Sequence, residues 1–323
     1  MKGRTQRIGR YLQSMFPPAL TLPAAALSFL AGDAALQALG SVGGAPRPLR
    51  AGAAELLGAL VVWGLQLLLR VYDELKDAET DLRLGAAGDP HYRDRPLVTG
   101  EVTVEDIAAL RTWTTTALLA LQVPIGWLYG AVPVLAFVGV FALCWLSSRW
   151  FFWPAMRDHL LVAFATHNPI GLFVGGYVLA LVHAAHAGLA FAPAPVLALL
   201  CGLWLPVAAW ELGRKVRLPA EETDYQTYSK LLGWRLAGTL PALCVLGAAL
   251  CLGLALRPAR PGAWLWACLG IAALVPLGAT LRLHLVPSPR ATALRPFVEA
   301  AGAVLHVGLA VGLAWERGIV LGS

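Results

Sequence analysis

Charge is what this sequence has least of. Asp, Glu, Lys and Arg together make up 14% of its 323 residues, against about a quarter in soluble domains, which excludes an ordinary water-soluble globule. Cysteine is also scarce. The five present (Cys144, Cys201, Cys244, Cys251 and Cys268) all fall in apolar stretches without ligand-like spacing, so they read as small packing residues, and neither a disulfide framework nor a zinc site is implied. No linker-like tract, low-complexity segment or charge block marks a second domain, and no residue-level repeat is visible. A single membrane domain over residues 1–323 is expected.

What the chain does have is apolar length: hydrophobic residues make up 58% and the mean hydropathy is +0.66. A spanning helix needs about 20 mostly apolar residues. Nine stretches come close: residues 19–39, 51–72, 113–129, 132–146, 160–182, 196–210, 236–256, 264–281 and 297–315. Residues 132–146 and 196–210 are short, so eight is the competing count. The fold class is all-α, an integral membrane bundle of about nine transmembrane helices. The first run follows a basic leader and imitates a signal peptide, but its length and the spans after it favour a retained helix.

Orientation follows from Lys and Arg, which are retained on the cytoplasmic side. With the amino terminus inside, 20 of the 25 basic residues fall on cytoplasmic segments; only Arg47, Arg50, Arg257, Arg260 and Arg317 fall outside. One missed helix would invert every later loop, so this split supports the count. Basic inner loops facing anionic membrane lipid account for the net charge of +6. A nucleic-acid partner is not expected, and nothing in the sequence bears on oligomeric state.

The few acids are concentrated. Of the 19, ten lie in one loop, about residues 73–112, and four (Glu211, Glu221, Glu222 and Asp224) in another, about residues 211–235. Both loops follow an even-numbered helix, the second and the sixth, and both are placed on the cytoplasmic face. Asp73, Asp77 and Asp81 recur at i, i+4 and i+8; continuing the second helix stacks them along one face with a drift of about 40° per step. Such like charges call for compensation. A hard cation supplies it, since Mg²⁺ takes oxygen ligands and is commonly held by one or two carboxylates plus substrate phosphates; a solvated loop with Lys76, Arg83, Arg93 and Arg95 as counter-ions is the plainer reading. In the second loop Glu211 and Lys215 are four apart with Arg214 and Arg217 close by, a cationic set suited to phosphate.

The run DELKDAETD, from Asp73 to Asp81, resembles the first aspartate-rich motif of the UbiA superfamily of intramembrane prenyltransferases, NDxxDxxxD, with Asp73 at the Asn and Glu74, Asp77 and Asp81 at the acids. DRPLVTGEVT, from Asp94 to Thr103, is similar to the NRPIxxG segment that follows it, and TYSKLLG, from Thr227 to Gly233, to the close of the second motif. The second motif departs from the pattern: where the family carries two or three Asp, Glu211 and Lys215 stand here.

The resemblance implies a nine-helix architecture with both motif loops facing each other over a pocket, and an enzyme that transfers an isoprenyl group from an isoprenyl diphosphate to a lipophilic, in some members aromatic, acceptor. It implies Mg²⁺ as cofactor, held by Asp73, Glu74, Asp77 and Asp81. Asp73, Asp77, Asp81, Glu211 and Lys215 are the expected catalytic set. Arg93, Arg95, Arg214, Lys215, Tyr228 and Lys230 are the expected diphosphate contacts, with Lys215 able to meet phosphate in place of a second metal. Thr166, His167 and Asn168, ahead of Pro169 in the fifth span, are polar where polarity is expensive; they are expected either to form a kink or to line the acceptor pocket. Localisation is an integral membrane, the inner one in a bacterium, with the site facing the cytoplasm. Two other functions compete. A UbiA-type terpene cyclase needs no acceptor, and a transporter would place ionisable groups near the midplane rather than at one edge.

Overall fold

The computed structural model describes residues 3–40, 47–89, 92–186, 188–223 and 225–321; Asp224 lies outside the described residues. In chain order the helices are α1 (Arg4–Met15), α2 (Pro18–Gly40), α3 (Ala53–Ala86), α4 (Val104–Tyr129), α5 (Ala131–Ser148), α6 (Leu160–His167), α7 (Ile170–Ala185), α8 (Pro193–Gly213), α9 (Tyr228–Leu232), α10 (Trp234–Leu256), α11 (Ala263–Leu285), α12 (Arg295–Val307) and α13 (Leu313–Arg317). The strands β1 (Leu49–Ala51) and β2 (Ile319–Leu321) form one parallel ladder. The expected all-α class holds.

Eight helices among the described residues are long and apolar enough to cross a membrane. Three of these crossings are composite, with α6 and α7 joined over Leu160–Ala185, α10 extended to Ala259, and α12 joined to α13 over Arg295–Arg317. Residues 113–129, read as a ninth span, lie in α4. That helix is long enough, but Thr112, Thr114, Thr115, Thr116 and Gln122 dilute its apolar character.

The described chain forms two compact units. The first comprises residues up to Ala26 and Leu56–Pro154. Its leader is itself a helix: α1 is amphipathic and buries Ile8 and Tyr11 against Leu67 and Val71 of α3 and Ile107 and Leu110 of α4. Arg7 fastens the contact by donating from Nε to Asp106 Oδ2 at 2.6 Å and from Nη2 to Oδ1 at 2.8 Å. Asp106 also closes the capping box of α4: its backbone N–H donates to Thr103 Oγ1, and its carboxylate accepts from the Thr103 N–H. Gly130, at φ 80°, turns the chain between α4 and α5.

The second unit comprises Leu27–Glu55 and everything from Ala155 onward. Small residues set its helix spacing, as expected where apolar burial alone does not drive association. A Cβ on Gly202 of α8 would lie 2.7 Å from Leu252 Cγ and 3.2 Å from the Ala248 carbonyl oxygen, both in α10. One core cluster of this unit gathers Leu212, Val216, Tyr228, Ala237, Leu283 and Leu294 beneath the second acidic loop. All five cysteines are free, as expected of packing residues.

Candidate functional site

The 34 residues of α3 span about 51 Å at 1.5 Å each, roughly 20 Å more than a hydrocarbon core. Its last turns therefore carry the acidic motif as an unbroken helix, as the i, i+4, i+8 spacing predicts. The helix divides the motif between two faces. Glu74 and Asp81, seven apart, share the buried face with Leu67, Val71 and Ala78, while Asp73 is exposed and Asp77 half-buried.

Cations meet these carboxylates. Lys76 Nζ lies 2.9 Å from Asp73 Oδ1 and 4.3 Å from the centre of the Trp150 ring. Glu74 Oε2 accepts from Arg70 Nη2 at 2.5 Å and from the Tyr11 hydroxyl at 3.3 Å, whereas its buried Oε1 has no hydrogen-bond partner. Burial and the Glu74 charge hold the Tyr11 phenol protonated well above its ordinary range. Arg95 pairs with Asp81 and stacks on Tyr92 at 4.3 Å. Arg93 is exposed and pairs with Asp94 at 3.2 Å. The four motif acids do not converge on one point: among the described residues, one group of three or more potential metal ligands has its ligand atoms within 4.8 Å of one another, and it lies elsewhere.

In the second unit both oxygens of Glu211 are engaged, Oε2 by Arg214 Nε at 2.6 Å and Oε1 by Lys215 Nζ at 2.9 Å. The Lys215 ammonium lies 5.8 Å from the Tyr225 ring and 5.7 Å from the Tyr228 ring. Tyr228 is fully buried, and that burial together with the nearby Glu211 charge raises its phenol pKa. Lys230 donates to the Thr223 carbonyl oxygen at 3.0 Å. Thr227 caps α9 by accepting from the Lys230 N–H, and its hydroxyl donates to Glu222. The loop is thus ordered by its own charges.

The polar step in the fifth span sits at the break between α6 and α7. Thr166 Oγ1 donates back to the Val162 carbonyl oxygen at 2.8 Å, His167 Nδ1 lies 3.0 Å from the Ala163 carbonyl oxygen, and Asn168 Oδ1 accepts from Trp204 Nε1 at 2.8 Å. Pro169 cannot donate, and these side chains dress the interruption it makes.

The convergent ligand group is one that sequence reasoning missed: Asp33 of α2, Glu55 of α3 and His186, just past α7, all buried. His186 Nε2 lies 3.1 Å from Glu55 Oε1 and 3.5 Å from Asp33 Oδ1. Gln37 donates to Asp33, and the Gly52 N–H donates to Glu55. Burial disfavours the imidazolium, but the two carboxylates outweigh it and raise the His186 pKa to about 9. The signal was an acid inside each of the first two apolar runs, which is unusual in a membrane segment.

The sequence matches no known family profile and no curated protein. Two solved structures share the fold. A UbiA homolog from Aeropyrum pernix K1 is 19% identical with a TM-score of 0.62, covering 90% of this chain and 97% of that one. A digeranylgeranylglyceryl phosphate synthase is 15% identical with a TM-score of 0.57, covering 95% of this chain and 99% of that one. The fold of this chain is of the UbiA type.

Proposed function

We propose that this chain is an integral membrane prenyltransferase that moves an isoprenyl group from an isoprenyl diphosphate to a lipophilic acceptor. What carries the reading is α3, which extends past its apolar span with Asp73 and Asp77 one turn apart on its open side. The likeness in fold to a solved digeranylgeranylglyceryl phosphate synthase is consistent with it.

The motif suits a divalent cation, Mg²⁺ by its hardness. All its donors are oxygens, Glu74 keeps a buried oxygen without a partner, and one or two carboxylates suffice when substrate phosphates complete the shell. Asp73 and Asp77 would hold the ion, with Glu74 and Asp81 behind them; when bound it supplies charge that stabilises the departing diphosphate. Arg93 and Arg95 meet phosphate oxygens from the same loop. Arg214, Lys215, Tyr228 and Lys230 form a second phosphate-binding set, in which Lys215 acts where the family pattern has an acid. As the bond between the allylic carbon and the diphosphate oxygen breaks, its electron pair leaves with the diphosphate. The acceptor's electron pair then forms the new bond to carbon, and the proton it displaces passes to the released diphosphate. Thr166, His167 and Asn168 are the candidate acceptor contacts, and the basic loops support a site on the cytoplasmic side.

The test is diphosphate release from geranylgeranyl diphosphate by the purified full chain in lipid nanodiscs, with and without Mg²⁺. Asp73→Asn/Asp77→Asn is expected to lower Mg²⁺-dependent release at least 100-fold, the scale of a lost electrostatic stabiliser. Release that persists in that variant removes the proposal.

A further inference from the structure

Two acids stand inside the first two apolar runs with no Lys or Arg paired to them among the described residues: Asp33 of α2 and Glu55, in the first turn of α3. Both face His186, which follows the last turn of α7. All three are buried, at 4%, 7% and 7% exposure. The group lies wholly within the second unit and shares no residue with either motif. Along the unbroken α3, Glu55 lies about 27 Å before Asp73 at 1.5 Å per residue, so it is remote from the acids expected to meet a diphosphate.

His186 Nε2 is 3.1 Å from Glu55 Oε1 and 3.5 Å from Asp33 Oδ1, and one ligand atom from each residue lies within 4.8 Å of the others. A tetrahedral ion with bonds of about 2.0–2.1 Å holds its ligand atoms about 3.3 Å apart. The three atoms are thus already near the spacing of one face of such a shell. Outer contacts keep them there. Gln37 Nε2 donates to both Asp33 oxygens, at 3.0 and 2.9 Å, and to the Arg50 carbonyl oxygen at 2.9 Å, while Gln37 Oε1 accepts from the Arg50 N–H at 2.8 Å. Arg50 belongs to β1, where its register partner in the parallel ladder is Val320 of β2. Glu55 commits Oε2 to the Gly52 N–H at the start of α3, which leaves Oε1 for the point the three groups share. Carboxylates that bind metal are oriented by partners of this kind.

Two carboxylates facing one imidazolium leave a net negative charge in the interior, and an uncompensated buried charge is costly. A divalent ion on two carboxylates and a neutral imidazole brings the sum to zero. The ring nitrogen argues against Mg²⁺, which takes oxygen ligands in an octahedron, and for Zn²⁺, which imidazole suits. We infer that Asp33, Glu55 and His186 form a three-ligand Zn²⁺ site, with Glu55 Oε1, a carboxylate oxygen of Asp33 and His186 Nε2 as the ligand atoms. Gln37 and His186 also line a cavity of about 230 Å³ together with Arg47 and Arg50, which gives the ion a path of entry and a source of solvent for a fourth position. The two arginines suit an anion on that position. The ion takes the place of the Nε2 proton, which leaves to solvent. It ties α2, the start of α3 and the end of α7 together and has no part in prenyl transfer.

The test uses the tag-free full chain in detergent, stripped with a chelator and titrated with Zn²⁺ in an excess of Mg²⁺, with bound zinc counted by elemental analysis and affinity read by competition with a chromophoric chelator. One Zn²⁺ per chain is expected, undisturbed by Mg²⁺. Asp33→Asn, Glu55→Gln and His186→Asn should each weaken Zn²⁺ binding by roughly 100-fold or more, beyond the roughly 10- to 100-fold lost with an outer partner. Asp73→Asn/Asp77→Asn should bind Zn²⁺ as the wild type does, which keeps the result independent of the transferase reading. Less than stoichiometric Zn²⁺ on the wild type, displacement by Mg²⁺, wild-type affinity in any of the three ligand variants, or loss of zinc from the Asp73/Asp77 variant each overturns the proposal. The wild-type titration alone can do so if the variants fail to fold.

Discussion

Replacing Asp106 with Asn removes the charge that fastens α1 to the first unit. The Asp106 carboxylate is buried, accepts two hydrogen bonds from Arg7 and one from the Thr103 N–H, and titrates near 2 rather than its ordinary 3.8, chiefly because of the Arg7 bond. That lowering is worth roughly 2 kcal/mol; screening at Arg7, 27% exposed, reduces it to about 1–2 kcal/mol. Because the carboxylate is depressed in the fold, its contribution is fully present above pH 3.8 and is lost as pH falls towards 2. Asn keeps the cap in part, so the change falls on the attachment of α1. Hydrogen exchange of α1 amides at pH 7 should quicken by roughly 5- to 30-fold in Asp106→Asn. In the wild type the same protection should disappear between pH 4 and pH 2. Unchanged exchange in the variant would show that apolar packing of Ile8 and Tyr11 holds α1 alone. The consequence reaches the motif, because α1 also presents Tyr11 to Glu74.

Lys215→Asp should raise the Mg²⁺ concentration for half-maximal diphosphate release roughly tenfold, the value of one charge-assisted bond at about 1.5 kcal/mol; an unchanged value would make Lys215 a topology signal only. The His186 pKa, raised to about 9, implies stability fully present below pH 6.5 and lost as pH rises through 9, so the melting temperature should fall over that window and His186→Asn should flatten the dependence. Gly202→Ala should cost about 1–3 kcal/mol through overpacking against Leu252 and Ala248, read as a lower melting temperature with the same helical content.

The apolar spans and the continuation of α3 beyond its span were legible because a helical period ran through both the apolar and the acidic residues. The same period carried a signal left unused. Glu74 and Asp81 are in register with Leu67, Val71 and Ala78, which turns those two acids inward and leaves Asp73 and Asp77 outside. The helical leader was hidden for a different reason: twelve residues with four apolar side chains read as a basic tail until Arg7 finds Asp106, 99 positions on. Asp33, Glu55 and His186 are separated by 22 and 131 residues, and no local spacing joins them. Composition also concealed the cavity at the motif end of α3, since Arg111 and Arg149 each look like ordinary inner-loop cations until one cavity holds both.

The pairing of acids with cations in the motifs bears on how a diphosphate and a divalent ion would bind. Asp73 is met by Lys76, Asp81 by Arg95, and Glu211 by both Arg214 and Lys215. A metal arriving alone at Asp73 would strand the Lys76 charge, and a diphosphate arriving alone at Arg95 would strand Asp81; an uncompensated charge that is even partly buried is costly. Arriving together, metal and diphosphate exchange partners with the existing pairs, and no charge is left without one. Binding of the two should therefore be cooperative, and by linkage each must raise the other's affinity by the same factor. Titration calorimetry is expected to show Mg²⁺ affinity rising roughly tenfold in the presence of a non-hydrolysable isoprenyl diphosphate analogue. Lys76→Gln, which removes the competitor at Asp73, should strengthen Mg²⁺ binding without the analogue and shrink that coupling. Coupling of the same size in Lys76→Gln and wild type would mean that the pairs seen here are not the ones exchanged.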